Sequence, residues 1–264
     1  MEALVNGLKL FYTDSGKATA PAVVFIHGFP FDHTLWRDQE ALLSPSFRVI
    51  TYDQRGHGRS EVGDGQYLFE YFVDDLFGLL DALRIDRAIL CGLSMGGYTA
   101  LRAAERQPER IQGLILCDTR SESDSNDAKV KRAASLRTIR EKGVPAFAEA
   151  FLKTIFAPAS FNKNLPVVEQ VRNVILRNTS LGISGTLIAL ATRTDTTLSL
   201  PNIHVPTLIL VGDQDGVTPP SAAEAMQARI PGSHLGVIPD AGHMSNLENP
   251  TLFNRAMSHF LNAF

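Results

Sequence analysis

Cysteine, tryptophan and long apolar runs are all scarce in this sequence. Its 264 residues include two cysteines, Cys91 and Cys117, and one tryptophan. Two thiols cannot build a disulfide framework, and they lack nearby ligands for a metal site. Each ends an apolar run, so both read as buried, reduced strand residues. No apolar run approaches the ~20 residues that a membrane span needs. The opening MEALVNGLKL has no cationic stretch leading into an apolar one, so neither a secretory signal nor a membrane contact is expected. Basic runs are missing too. The 25 Lys and Arg are outnumbered by 28 Asp and Glu, for a net charge of -3, which argues against nucleic acid as a partner. What is left is a globular, cytoplasmic composition, 44% apolar, long enough for one large α/β domain with an insertion.

What is present has a rhythm. Residues 3–5 and 8–12 flank Asn6-Gly7, the strongest short hairpin signal. Residues 23–26 are continuously apolar, the mark of a strand covered on both faces. Residues 47–52 form another strand. Phe69, Phe72, Val73, Leu76, Leu79, Leu80 and Leu83 recur at helical spacing, with Asp74, Asp75 and Asp81 expected on the outer face. Strand 88–91, helix 95–106 and strand 114–117 follow, which implies a parallel sheet with crossover helices. After Asp118 the chain turns polar and then reads as short amphipathic helices to about residue 199. Strands 207–211 and 235–238, helix 221–230 and a last helix from about residue 251 resume the pattern. The expected domains are therefore an α/β core at 1–120 and 203–264 with a helical insertion at 121–202.

One hydroxyl stands out. In "LCGLSMGGYT", Gly92-Leu93-Ser94-Met95-Gly96 has the form G-x-S-x-G, placed after a strand and before a helix. Gly92 and Gly96 sit where a Cβ would crowd a tight turn. The spacing alone arises by chance in roughly one chain of this length in ten, so the context carries the argument. A serine nucleophile needs a base, and His243 in "PDAGHMSNLENP" follows the last strand. His27 ends a strand but comes too early in the order, His57 lies in a Gly-rich turn, and His33, His204, His234 and His259 read as exposed. The base needs an acid to set its tautomer, and "VGDQDGVTP" offers Asp213 and Asp215 after a strand. An oxyanion needs N–H donors. Met95, next after the nucleophile, supplies one, and "HGFP" after strand 23–26 supplies a second at Phe29, since Pro30 has no N–H.

These pieces, "HGFP", "YDQRGHGRS", "GLSMGG", "GDQDGVTP" and "AGHM", resemble the α/β-hydrolase fold superfamily over essentially the whole chain. The resemblance implies a mostly parallel sheet with helices on both faces and a helical cap. It implies Ser94 as nucleophile, His243 as base, and Asp215 rather than Asp213 as acid, with Asp118 as a rival that some relatives use. Phe29 and Met95 become the oxyanion donors, and Asp53, Arg55, Gly56, Gly58 and Ser60 become structural turn residues. The pattern looks most like small esterases and 3-oxoadipate enol-lactonases, with no metal or other cofactor required.

The expected activity is hydrolysis of small, mostly uncharged carboxylic esters through an acyl-enzyme. A lactonase, a cofactor-free perhydrolase and a small-molecule receptor on the same scaffold are the alternatives. Phe147, Phe151, Phe156 and Leu187 are expected to line an apolar acyl pocket. Arg132, Arg137, Arg140, Arg172, Arg177 and Arg193 are expected on a solvated outer face, some paired with Glu141, Glu149 and Glu169.

Overall fold

Asn6 and Gly7 adopt φ of 49° and 80°, the conformation that folds the chain back after four residues of strand. The computed structural model describes residues 1–163 and 165–264. Its eight strands are β1 (Glu2–Val5), β2 (Leu8–Ser15), β3 (Ala22–Ile26), β4 (Arg48–Tyr52), β5 (Ala88–Leu93), β6 (Ile111–Cys117), β7 (Thr207–Gly212) and β8 (His234–Ile238). They form one sheet in the order β1-β2-β4-β3-β5-β6-β7-β8. β1 pairs antiparallel with β2, and β2 with β4; every later pairing is parallel. Every residue of β3, β5 and β7 is buried, as continuous apolar runs demand of strands covered on both faces. Cys91 and Cys117 are buried free thiols with Sγ atoms 4.0 Å apart.

The crossovers are helical. α1 (Arg37–Leu43) leads into β4, α2 (Phe69–Ala82) into β5 and α3 (Met95–Arg106) into β6. The seven residues of α1 carry too little periodicity to announce a helix. In α2 the apolar stripe is buried as expected from Phe69 to Leu80, while Leu83 caps the helix and is half-buried. Asp75 is not on the outer face: it is buried, with Arg55 donating to both carboxylate oxygens at 2.6 and 2.7 Å and Asn6 adding a third bond. Periodicity marks Asp75 as polar, but only the partners brought from the β1–β2 turn and the loop after β4 make burying it tolerable.

Between β6 and β7 the described residues form helices α4 (Asn126–Ile155), α5 (Ser160–Lys163), α6 (Leu165–Arg177) and α7 (Ser180–Ala191). The first of these is no short helix. It runs for 30 residues and breaks at Gly143, where φ is 80° and ψ 174°. Glycine tolerates that conformation, and Pro145 starts the second half without an N–H to satisfy. Among the described residues no single helix is long and apolar enough to cross a membrane; α6 and α7 reach that length only together, and they meet at 98°. After β7 come α8 (Pro220–Gln227), α9 (Ser245–Glu248) and α10 (Pro250–Leu261).

β3 lies between β4 and β5, so the chain winds outward in opposite directions from it. Parallel sheets leave a crevice outside the strand C-termini at such a reversal. The loops after β3, β5, β6, β7 and β8 all open there.

Candidate active site

Ser94 follows β5 directly and precedes α3, with φ 54° and ψ -111°. A non-glycine residue holds that conformation only when its surroundings enforce it. Here the Ser94 N–H donates to the Cys117 carbonyl at 2.8 Å, and the Ser94 carbonyl accepts from the Thr119 hydroxyl at 2.7 Å and the Tyr98 N–H at 3.0 Å. The flanking glycines are required by approach. A Cβ on Gly92 would lie 2.2 Å from the Gly96 carbonyl oxygen, and one on Gly96 would lie 2.1 Å from that of Ile26. The elbow is thus clamped between β3 and β6, with the serine side chain left half-buried at a cavity wall.

His243 lies in the loop between β8 and α9 and is 2% exposed. Its Nδ1–H donates to Asp215 Oδ2 at 2.7 Å. Asp215 Oδ1 accepts from the Val217 and Thr218 N–H groups at 2.8 and 2.9 Å, and Oδ2 also accepts the Thr218 hydroxyl at 2.7 Å. Burial pushes the Asp215 pKa up, but His243 and the Thr218 donors outweigh it and hold the carboxyl below its ordinary value. Burial pushes His243 down, and the facing Asp215 lifts its pKa above the ordinary 6.5. With Nδ1–H committed to Asp215, the free lone pair of neutral His243 is on Nε2.

Asp213 is exposed and contributes one long acceptor contact, from the Ala241 N–H at 3.2 Å. It does not reach the histidine's hydrogen-bond network. Asp118 is fully buried at the end of β6, where it accepts the Gly212 N–H at 2.9 Å and the Ser245 hydroxyl at 2.5 Å. Burial first, and then the Asp215 charge, push its pKa up to about 8.

His27 is neutral and structural. Its Nδ1–H donates to Gly28 O and its Nε2 accepts the Gln54 N–H at 2.9 Å, with burial lowering its pKa. His57 packs edge-on against it, and burial takes its pKa down to about 3. His33 is not simply exposed: it is half-buried, with Nδ1 2.7 Å from Asp53 Oδ1. Asp53 also caps the His33 and Arg59 N–H groups, and its carbonyl accepts the Ser60 hydroxyl. Asp32, His33 and Asp53 offer donor atoms within 4.8 Å of one another, but hydrogen bonds to Thr34, Arg177 and Arg59 already occupy the carboxylates.

A cavity of about 650 Å³ joins the parts. Ser94, His243, Phe29, Met95 and Thr218 stand on its wall. Met95 opens α3, so its N–H has no helical carbonyl to donate to among the described residues and can meet a ligand. Phe147, Phe151 and Leu187 line the cavity; Phe156 does not, being buried with its ring against Phe161. Phe29 meets Phe147 and Phe151 at ring distances of 6.0 and 5.8 Å.

The arginine expectation needs correction. Arg172 pairs with Glu149 and Glu169, and Arg140 with Glu141, as outer-face residues do. Arg177 reaches Asp32, and Arg137 lies on the surface. Arg132 and Arg193, however, turn inward and line the cavity with Arg120. Both share the buried Asp124. Arg193 lies 4.8 Å over the Tyr98 ring, and burial takes its pKa down to about 10. Its Nε has no protein acceptor among the described residues. Helical spacing could not separate these two from the other four, because Arg132 on α4 and Arg193, two residues past α7, come from opposite ends of the insertion to meet at Asp124. Thr218 was also missed, although Asp215-x-x-Thr218 is a recognisable side-chain-capped turn.

The sequence model of the alpha/beta hydrolase fold matches residues 21–250. The chain belongs to the α/β-hydrolase fold family. This α/β hydrolase is 31% identical over 255 residues to 3-oxoadipate enol-lactonase 2 of Acinetobacter baylyi, covering 97% of this chain and 94% of that one. Among solved structures it is similar to a malate-bound thermophilic esterase from Thermogutta terrifontis, with a TM-score of 0.94, 37% identity and coverage of 100% and 98%. It is also similar to the enol-lactonase of Burkholderia xenovorans, with a TM-score of 0.93, 33% identity and coverage of 99% and 100%.

Proposed function

We propose that this α/β hydrolase cleaves small carboxylic esters and lactones through an acyl-enzyme formed on Ser94. The observation that carries the reading is the Asp215–His243 pair, 2.7 Å apart, whose histidine stands on the same cavity wall as a serine held in a strained turn. Relatives named as esterases and enol-lactonases support it.

In the proposed reaction Ser94 Oγ attacks the carbonyl carbon while His243 Nε2 takes its proton. The carbonyl electrons move to oxygen, and the Phe29 and Met95 N–H groups hold the oxyanion, each worth roughly 3 kcal/mol of barrier. Asp215 steadies the imidazolium. His243 then returns the proton to the leaving alkoxide. In the second half it deprotonates a water, which attacks the acyl carbon; Ser94 leaves as the hydroxyl and the acid departs. The helices of 121–202 act as the cap, and Phe29, Phe147, Phe151 and Leu187 receive the acyl chain.

Short, uncharged acyl groups suit that apolar wall, at ~0.8 kcal/mol per buried CH₂. A second reading has its own observation. Arg120, Arg132 and Arg193 line the cavity, Arg132 and Arg193 share the one carboxylate of Asp124, and the excess of positive charge suits a carboxylate on the substrate. Matched pairs of methyl esters, one ending in methyl and one in carboxylate, separate the two readings by kcat/KM. A tenfold preference for the anionic member that disappears in Arg193→Met establishes the second. The hydrolase reading itself is tested by Ser94→Ala, expected to lower turnover at least a thousandfold, and by an organophosphonate, expected to attach to Ser94. Labelling elsewhere or retained turnover refutes it.

A further inference from the structure

Glu248 closes α9, five residues after His243, and its two carboxylate oxygens serve two different parts of the molecule. Oε1 accepts the Gly242 N–H at 2.8 Å and the Met244 N–H at 3.2 Å, the residues on either side of His243. Oε2 accepts the Ala157 N–H at 2.8 Å and the Ser160 hydroxyl at 2.6 Å, just beyond the end of α4. The first pair has a local explanation, since an acidic side chain commonly reaches back to the amides that open its own helix. The second pair has none. Those partners lie 91 and 88 residues away, and α9 does not need them to cap itself.

Two further contacts join the same segments. The His243 N–H donates to the Ile155 carbonyl at 2.8 Å. A Cβ on Gly242 would lie 2.6 Å from the Ala157 nitrogen and 2.9 Å from the Ile155 oxygen, so the loop and the end of α4 meet backbone to backbone. The same half of α4 carries Phe147, Ala150, Phe151 and Thr154 to the cavity wall.

We infer that Glu248 is a positioning residue that couples the cap to the catalytic base: its carboxylate locks the end of α4 to both sides of His243, so the helix that touches the acyl group also sets the imidazole's place. The inference rests on the acyl-enzyme reading above. A carboxylate is needed because each oxygen accepts from a different segment. Glutamine has one oxygen, and whichever way its amide turns, its NH₂ faces N–H or O–H donors on one side.

The test uses the whole protein, with active sites counted by organophosphonate labelling so that kcat is expressed per reactive Ser94. Glu248→Ala should lower kcat per site at least tenfold with KM changed less than threefold. The acid limb of its pH profile should move to lower pH, as a loosened His243 loses part of its contact with Asp215. Glu248→Gln should lose at least threefold in the same way, and it decides the matter if the alanine variant does not fold. A folded variant with wild-type kcat per site and an unmoved acid limb, whose only change is a lower Tm or fewer labelled sites, overturns the inference. Failure of the wild-type protein to be labelled at Ser94 is a different result, and it removes the hydrolase reading together with this one.

Discussion

Asp118 and Asp215 follow neighbouring parallel strands, face the same histidine, and have opposite electrostatic fates. Asp215 lies three residues beyond β7 in a turn that aims two N–H groups and a hydroxyl at it, with His243 Nδ1 as a fourth partner. Its charge is compensated, and its pKa is held down. Asp118 directly follows β6 with φ 45°, where it has one N–H and one hydroxyl and faces Asp215. Its pKa is pushed up to about 8. Both are buried, so burial does not distinguish them. The number of donors and the sign of the nearest charge do. Strand-end position therefore does not single out the histidine's partner; a compensated charge on its Nδ1 does.

The widest test of that contrast is Asp215→Asn. It should lower kcat about 10⁴-fold, the scale for losing the group that sets a catalytic histidine's tautomer. Steady-state hydrolysis of a p-nitrophenyl ester measures it, and a loss smaller than that in Asp118→Asn would reverse the assignment. The residual activity carries a second signature. In the proposed reaction His243 acts only when neutral, and Asp215 raises its pKa above 6.5. The wild-type acid limb should therefore lie above pH 6.5 and move to lower pH in Asp215→Asn; a limb that stays in place means that another group sets it.

Asp118→Asn should change kcat by less than about threefold below pH 8, because the amide keeps an acceptor and replaces a carboxyl that is mostly protonated there. Its clearer effect is on stability. A carboxyl whose pKa rises from 3.8 to about 8 on folding holds more protons folded than unfolded between those values. It favours the fold fully below pH 3.8, and that contribution is lost as pH rises to about 8. An uncharged asparagine has no such loss. The Tm of Asp118→Asn relative to wild type should therefore climb with pH and level off above about pH 8, which thermal melts across pH 5 to 9 would show. A flat difference means that Asp118 is already ionised in the folded protein. The smallest effect is expected at Asp213, which is exposed. Asp213→Asn should change stability by no more than about 0.5 kcal/mol, the usual range for a surface position, and kcat less than twofold.

The two carboxylates also show what could be read in advance. Gly92, Ser94 and Gly96 declare a turn between a strand and a helix because glycine at minus two and plus two has a local steric meaning. Asp215 and His243 declare themselves by following apolar runs in an order that the resemblance recognises. These are short-range facts, and residue type records them directly. Asp75 shows the limit, since spacing marks it as polar and only Arg55 and Asn6 make its burial tolerable.

The amino-acid sequence by itself determined the alternating strands and helices, the hairpin at Asn6-Gly7, the elbow at Ser94 and a helical stretch between β6 and β7. All of these depend on periodicity, turn chemistry and glycine, which act within a few residues. Tertiary structure alone decided that α4 is one broken helix ending against His243, and that Glu248 binds both sides of that junction. It also decided that Arg132 and Arg193 face inward around Asp124 while Arg140 and Arg172 face out, and that Phe156 packs away from the cavity. Which way a side chain turns its charge, and which distant amide meets a carboxylate, depends on how elements far apart in the sequence pack. Local propensity has no term for such contacts.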